Sequence, residues 1–220
     1  MDFLIKYFPL IFNGFVLTAE VTLFGLFAGL AIGILLAIGD LYGGRIVSTI
    51  IRVYVEFFRG SPIIVQLFIF YYVIPSMLST RTDALIAGLL VFALNSAAYQ
   101  KGYVKGAMEV IFEDQMTAGL SVGLSRPKTI LYVILPQALR IVIPAWSNEF
   151  CSLTKSTSAL LVIGVRDLTS AGQTIAGQTW RILETWSFIA VVYLIWITAI
   201  TKILDVVYDK KKIPGIEISA

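Results

Sequence analysis

Glu56, Arg59, Gln66, Asn95, Glu149, Lys155, Thr157 and Ser158 are polar or ionisable residues set in, or at the edges of, long apolar stretches. An ionisable group at bilayer depth is expensive, and it ordinarily faces a bundle interior or a water-filled cavity. Together such residues can hold a polar solute through charge-assisted and neutral hydrogen bonds. Each also has a purely structural use. Glu56 and Arg59, three residues apart, can pair at the membrane interface. Asn95 can bond a neighbouring helix, and Lys155 can pair with Glu149 or cap the helix before it. Bond-making chemistry is poorly served: the chain has no His, a single Cys and no clustered carboxylates, so neither a nucleophile with its base nor a metal set can be assembled. Cys151 has no partner for an internal disulfide and reads as a small apolar packing residue. Gly172 to Thr179 has the outline of a nucleotide-binding loop, with Gln where the essential Lys belongs. Without that Lys and a preceding strand it is set aside.

The elements that must carry these residues are apolar. Of 220 residues 58% are hydrophobic and 14% charged, and the mean hydropathy is +0.86, which implies a polytopic membrane protein. A crossing needs about 20 apolar residues. Five stretches reach or approach it: Asn13–Ile38, Ile46–Met77, Ala84–Tyr99, about Thr129–Phe150, and Trp186–Val207. In the first, Gly25, Gly29, Gly33 and Ala37 put small residues on one face, where another helix can approach closely. The second is longer than one straight crossing needs. It is expected to break at Arg59-Gly60-Ser61-Pro62, where proline and glycine disfavour helix. Asp40–Arg45 and Ser76–Asp83 read as short polar connections. Pro136 and Pro144 are expected to kink the fourth span. Ala159–Val165 is too short to cross and must re-enter or pack against the spans. No removed signal peptide, internal repeat, soluble domain or flexible linker is visible. The net charge of +3 is too small to imply nucleic acid. Basic residues near span ends, Arg45, Lys101, Lys105, Arg126, Lys128 and Lys210–Lys212, mark one side as cytoplasmic against Lys6, Arg81, Lys155, Arg166 and Arg181 on the other. That places the N-terminus outside and the C-terminus in the cytoplasm, with Trp180 and Trp186 in an outer aromatic belt.

Between the third and fourth spans lies a charged interval carrying Lys101, Lys105, Glu109, Glu113, Asp114, Arg126 and Lys128. Met108, Ile111, Phe112, Met116, Leu120 and Leu124 recur in it at helical spacing, so it is an amphipathic helix lying in water or against another protein. Gly123 sits where that helix can stop and turn, and Arg126-Pro127 opens the next. Gln115-Met116-Thr117-Ala118-Gly119, then Gly123, then Leu135-Pro136-Gln137-Ala138-Leu139-Arg140 resembles the EAA-loop signature of bacterial and archaeal ABC importer permeases. Asn95-Ser96-Ala97-Ala98-Tyr99, Arg59-Gly60-Ser61-Pro62-Ile63-Ile64-Val65-Gln66 and Lys155-Ser156-Thr157-Ser158 are similar to the polar amino-acid branch of that family, the histidine/arginine/glutamine permease-like proteins. Thr117 and Gly119 depart from it, standing where the family usually has Glu and Ala.

The resemblance implies an all-α type I permease bundle of about five transmembrane helices, one domain over residues 1–220, with a cytoplasmic coupling-helix loop at about 100–128. It implies a subunit of an ATP-driven importer of polar or charged amino acids in the cytoplasmic membrane. Such a subunit is not itself an enzyme and binds no cofactor, ATP and Mg belonging to a partner ATPase. The other implied partners are a second permease subunit, identical or merely similar, and an extracytoplasmic solute-binding protein. Gln115, Thr117, Ala118, Gly119, Gly123 and Leu124 would dock the ATPase. For an amino-acid cargo, Lys155 with Thr157 and Ser158 would hold the carboxylate. Glu56 or Glu149 would attract the ammonium, and Asn95 would orient the backbone atoms. The competing reading is a self-sufficient secondary carrier. It is disfavoured because carriers commonly show repeats with paired broken helices, and only one clear break is present.

Overall fold

The computed structural model describes residues 2–211, so Lys212 of the basic tail lies outside the described residues. Among the described residues the chain is helical, without strands. We number the helices α1 (Asp2–Tyr42), α2 (Gly44–Gly60), α3 (Ile63–Met77), α4 (Ala84–Ser121), α5 (Arg126–Ile141), α6 (Ile143–Ser156, continued by a tighter turn over Thr157–Ile163), α7 (Leu168–Thr179) and α8 (Ile182–Lys211). α1, α4 and α8 are each long and apolar enough to cross a bilayer. α2 with α3, and α5 with α6, are bent pairs that bring the number of crossings to five if each pair is one span.

The breaks fall where backbone chemistry puts them. α2 and α3 meet at 108°, across the expected Arg59–Pro62 interruption, with Pro62 extended ahead of the first turn of α3. α5 and α6 meet at 58°; the bend sits at Val142, just before Pro144. Near Pro136 the chain answers differently, with a wide π turn over Ile130–Ile134 that absorbs the missing proline donor.

Two expectations are corrected. Asp40–Arg45 is not a polar turn: α1 stays helical to Tyr42 and the chain bends at Gly43 alone. The third span does not hand over to a separate amphipathic helix after Tyr99. α4 is continuous for 38 residues, roughly 57 Å at 1.5 Å per residue, about twice the bilayer core.

The glycine face of α1 is the principal seam. A side-chain carbon on Gly29 would lie 2.8 Å from Ser96 Cβ, and one on Gly33 would lie 3.1 Å from Gln100 Cβ. Only residues without side chains let α4 come this close. Ala37 continues the face into a cluster with Val104, Met108, Ile134 and Ile141, which joins α1, α4 and α5. Above it, Val21, Phe92, Phe150 and Leu160 form a second cluster between α1, α4 and α6. Ala159–Val165 packs into that cluster rather than crossing. Gly172–Thr179 lies inside α7, so no phosphate-cradling loop exists there.

Candidate functional site

The polar residues of the bundle converge on one stretch of α4. Glu149, buried on α6, accepts from Ser96 Oγ at 2.7 Å and from Tyr103 Oη at 3.3 Å. Gln100 donates to Ser96 Oγ at 2.9 Å and to the Leu26 carbonyl at 2.7 Å, and Trp146 Nε1 donates to Gln100 Oε1 at 2.6 Å. One network thus ties α1, α4 and α6 around a single carboxylate. Its two oxygens are partnered by hydroxyls, and among the described residues no cation lies within ion-pair distance of them.

A second network lies at the break between α2 and α3. Gln66 is buried, and its amide donates to the Phe58 carbonyl (2.9 Å) and to the Ser61 carbonyl (3.0 Å). Asn95 donates to the same Phe58 carbonyl at 3.0 Å and to Gln66 Oε1 at 3.1 Å. These amides satisfy the carbonyls that the break strips of helical partners. Arg59, exposed at the end of α2, places its guanidinium over the Tyr99 ring, 5.0 Å from the centroid, while Glu149 holds the Tyr103 hydroxyl. Arg59 and Glu149 therefore flank Tyr99 and Tyr103, one contributing positive and the other negative charge.

The remaining candidates lie elsewhere. Glu56 is exposed on α2, and the i,i+3 pairing with Arg59 is not among the ion pairs of the described residues. Lys155 does not pair with Glu149; six residues on, it is rotated well off that face and exposed. The Thr157 hydroxyl donates to the Thr154 carbonyl at 2.7 Å and that of Ser158 to the Lys155 carbonyl at 2.8 Å. Both hydroxyls thus donate within their own helix and keep their oxygens as acceptors.

Four contributors, Gln100, Tyr103, Trp146 and Asp40, escaped the sequence reading. Tyr103 and Trp146 carry no motif of their own. Asp40 receives Lys101 Nζ at 2.6 Å, Lys105 Nζ at 2.8 Å and Ser48 Oγ at 2.5 Å. Lys101 and Lys105 are therefore not free charges of a solvated loop. They clamp α4 to α1 and, through Ser48, to α2. Elsewhere in the bundle, buried against Gly14 of α1, Asp167 caps α7 through the amides of Thr169 and Ser170. Its burial pushes the carboxyl above its ordinary value, and those amides pull the other way.

The far end of α4 is built from backbone shape. Gly123 has φ +84, a left-handed turn that closes the helix as an αL cap. The Leu124 amide donates to the Gly119 carbonyl at 3.0 Å. A Cβ on Gly119 would lie 2.6 Å from Thr129 Oγ1, so the departure at Gly119 makes room for Thr129 of α5. Gln115 accepts from Gln137 Nε2 at 3.0 Å, a second tie between α4 and α5. Thr117 and Ala118 are exposed, and Leu124 is half-buried.

Residues 29–213 match the family described as binding-protein-dependent transport system inner membrane component. The glutamine transport system permease protein GlnP of Escherichia coli (strain K12) is 38% identical over 206 residues, covering 93% of this chain and 94% of its own. The L-cystine transport system permease protein TcyL of Bacillus subtilis (strain 168) is 32% identical over 182 residues, 80% of this chain and 76% of its own. Among solved structures, an amino acid ABC transporter crystallised with histidines superposes with TM-score 0.85 at 29% identity, over 96% of this chain and 99% of that one. An inward-facing MetNI methionine ABC transporter shares the fold, with TM-score 0.72 at 21% identity over 97% and 98% of the two chains.

Proposed function

The chain belongs to the family of binding-protein-dependent transport system inner membrane components, and from that premise we propose that it is the permease subunit of an ATP-driven importer of polar or charged amino acids. The observation that carries the reading is α4: one unbroken helix holds Asn95, Ser96, Tyr99 and Tyr103 at bundle depth and Gln115 to Gly119 at its far end. A helix that long moves as a rod. Displacement of its docking end by an ATPase shifts the groups that face the cargo, and the clamp of Asp40 on Lys101 and Lys105 makes α1 follow. Residues 1–220 form one permease domain, which pairs with a second permease subunit and two ATPase subunits. The ATPases supply the hydrolysis and hold ATP and Mg, and a solute-binding protein presents cargo from outside. Lys101 and Lys105 meet Asp40 near the end of α1, and Arg45 follows in the first turn of α2. Arg126 and Lys128 follow the far end of α4, and Lys210 and Lys211 close α8, Lys211 beside Arg140. This supports a cytoplasmic docking end and C-terminus, with the N-terminus outside.

In this reading Glu149 meets the α-ammonium of the cargo and Arg59 its α-carboxylate, across the Tyr99–Tyr103 face. Lys155 is the alternative cation, on the exposed turn beyond. A charge-assisted hydrogen bond contributes about 1.5–3 kcal/mol. Arg59→Met should therefore weaken apparent cargo affinity by roughly ten- to a hundred-fold in the reconstituted complex. Assembly with the ATPase should be unchanged. If Lys155→Met loses more affinity than Arg59→Met, the carboxylate belongs to Lys155. If neither variant alters uptake, the bundle does not bind cargo in this way.

A further inference from the structure

Between α1, α5, α6 and α8 runs a cavity of about 480 Å³, apart from the Glu149 network but sharing one wall with it. Its floor and sides are apolar, with Leu30, Trp146, Leu204 and Val207 among them, and Arg140 and Lys211 stand at its mouth. No carboxylate is among its lining residues. The depth of that mouth follows from packing. Ala138 and Ile141, on either side of Arg140, pack in the same cluster as Val104 and Ala107 of α4. This sets the guanidinium near the level of the Lys101–Lys105 clamp. Lys211 closes α8 at the same end. An apolar groove that opens between membrane helices beside two exposed cations at that level matches one chemistry: an acyl chain below an anionic headgroup.

We infer that this groove binds one anionic phospholipid of the cytoplasmic leaflet, its phosphate on Arg140 and Lys211 and an acyl chain along Leu204, Val207 and Leu30 toward Trp146. The leaflet assignment rests on the orientation proposed above, but binding itself does not. The occupied groove would press on the Trp146 indole, whose other edge donates to Gln100 in the network around Glu149. The lipid therefore bears on the cargo network through Trp146, and neither Glu149 nor Ser96 lines the groove.

The test uses the full chain purified in detergent, titrated with dioleoylphosphatidylglycerol or dioleoylphosphatidylcholine and read by native mass spectrometry. It needs neither cargo nor ATPase, so failure of the transport reading leaves it intact. The wild type should retain phosphatidylglycerol in preference to phosphatidylcholine. Arg140→Gln with Lys211→Gln should weaken retention roughly thirty-fold and erase the preference. Lys210→Gln, whose lysine does not line the groove, should leave both unchanged. Leu204→Trp, which fills the groove and keeps both cations, should also lose the lipid. Retention that survives both the double substitution and Leu204→Trp overturns the proposal, as does equal loss in Lys210→Gln. Two further outcomes overturn it by naming another occupant. The double substitution could separate paired permease subunits without changing lipid retention. Alternatively, preference for phosphatidylglycerol could emerge only when residues 212–220 are removed.

Discussion

Around Asn95 to Tyr103, α4 presents side chains; around Gly119 to Gly123, it presents backbone. The first region gathers amides, hydroxyls and a buried carboxylate into satisfied networks. It is a place where removing one atom leaves others unpaired. The second has exposed Thr117 and Ala118, a glycine that admits Thr129, and a turn in the left-handed region. Recognition of a small polar solute needs directed charges, whereas seating in a groove of another protein needs a contour. The comparison predicts that the two ends fail differently: the first through affinity or folding, the second through coupling.

The largest effect should come from Asp40→Ala. It leaves Lys101 and Lys105, whose side chains are 14% and 31% exposed, without their shared carboxylate. Removing one partner of a mostly buried ion pair costs about 3 kcal/mol. Thermal unfolding in detergent should show a fall of several degrees, with Lys101→Met in the same background restoring part of it. A stability unchanged by Asp40→Ala would mean that the clamp is only a surface pair.

Gly119→Ala comes next. The added methyl meets Thr129 Oγ1, and overpacking of this kind costs about 1–3 kcal/mol. The partner substitution Thr129→Ala should recover most of the loss in a double-mutant cycle, read by ATPase co-purification. Additive losses would detach the docking end from α5. Thr117→Glu, at an exposed position, should be tolerated or should strengthen coupling to the ATPase; severe loss there would mean a different docking contour.

The smallest effect belongs to a residue outside both regions. With its folded value raised, the Asp167 carboxyl binds protons more tightly in the folded chain than in the unfolded one. Its contribution to stability is therefore most favourable in acid and declines as pH rises through the carboxylate range. Asp167→Asn keeps one of the two capping oxygens, gives up the other, and should flatten that decline in melting temperature against pH. A steeper decline in Asp167→Asn would reverse the assigned sign.

What was legible in the sequence was local chemistry. The glycine face of α1, the break before Pro62 and the stop at Gly123 follow from backbone rules that operate over a few residues. What was not legible depends on distance along the chain. Asp40 and Lys101 lie in different helices, and the lysines, met alone, read as the start of a solvated loop. That same misreading ended the third span at Tyr99. Charges on one face of a long helix look like a boundary until a partner on α1 neutralises them. Glu149 stands out for its burial cost and Ser96 for its motif, yet nothing local pairs them with each other or with Tyr103. Hydroxyl-bearing residues are common in membrane helices, and only the fold selects which of them meet.

The central claim is that α4 acts as one rod between cargo groups and docking end, and Gly106 offers the most direct test. It lies between the two regions, and nothing stands within 4 Å of a side chain added there. Gly106→Pro removes a helical hydrogen bond and kinks the rod at a cost of about 3 kcal/mol. Gly106→Ala, in the same open space, stiffens it. In the reconstituted complex, Gly106→Pro should leave ATPase subunits bound while abolishing the stimulation of hydrolysis by cargo-loaded binding protein, and Gly106→Ala should retain it. Full stimulation in an assembled Gly106→Pro complex would contradict the rod.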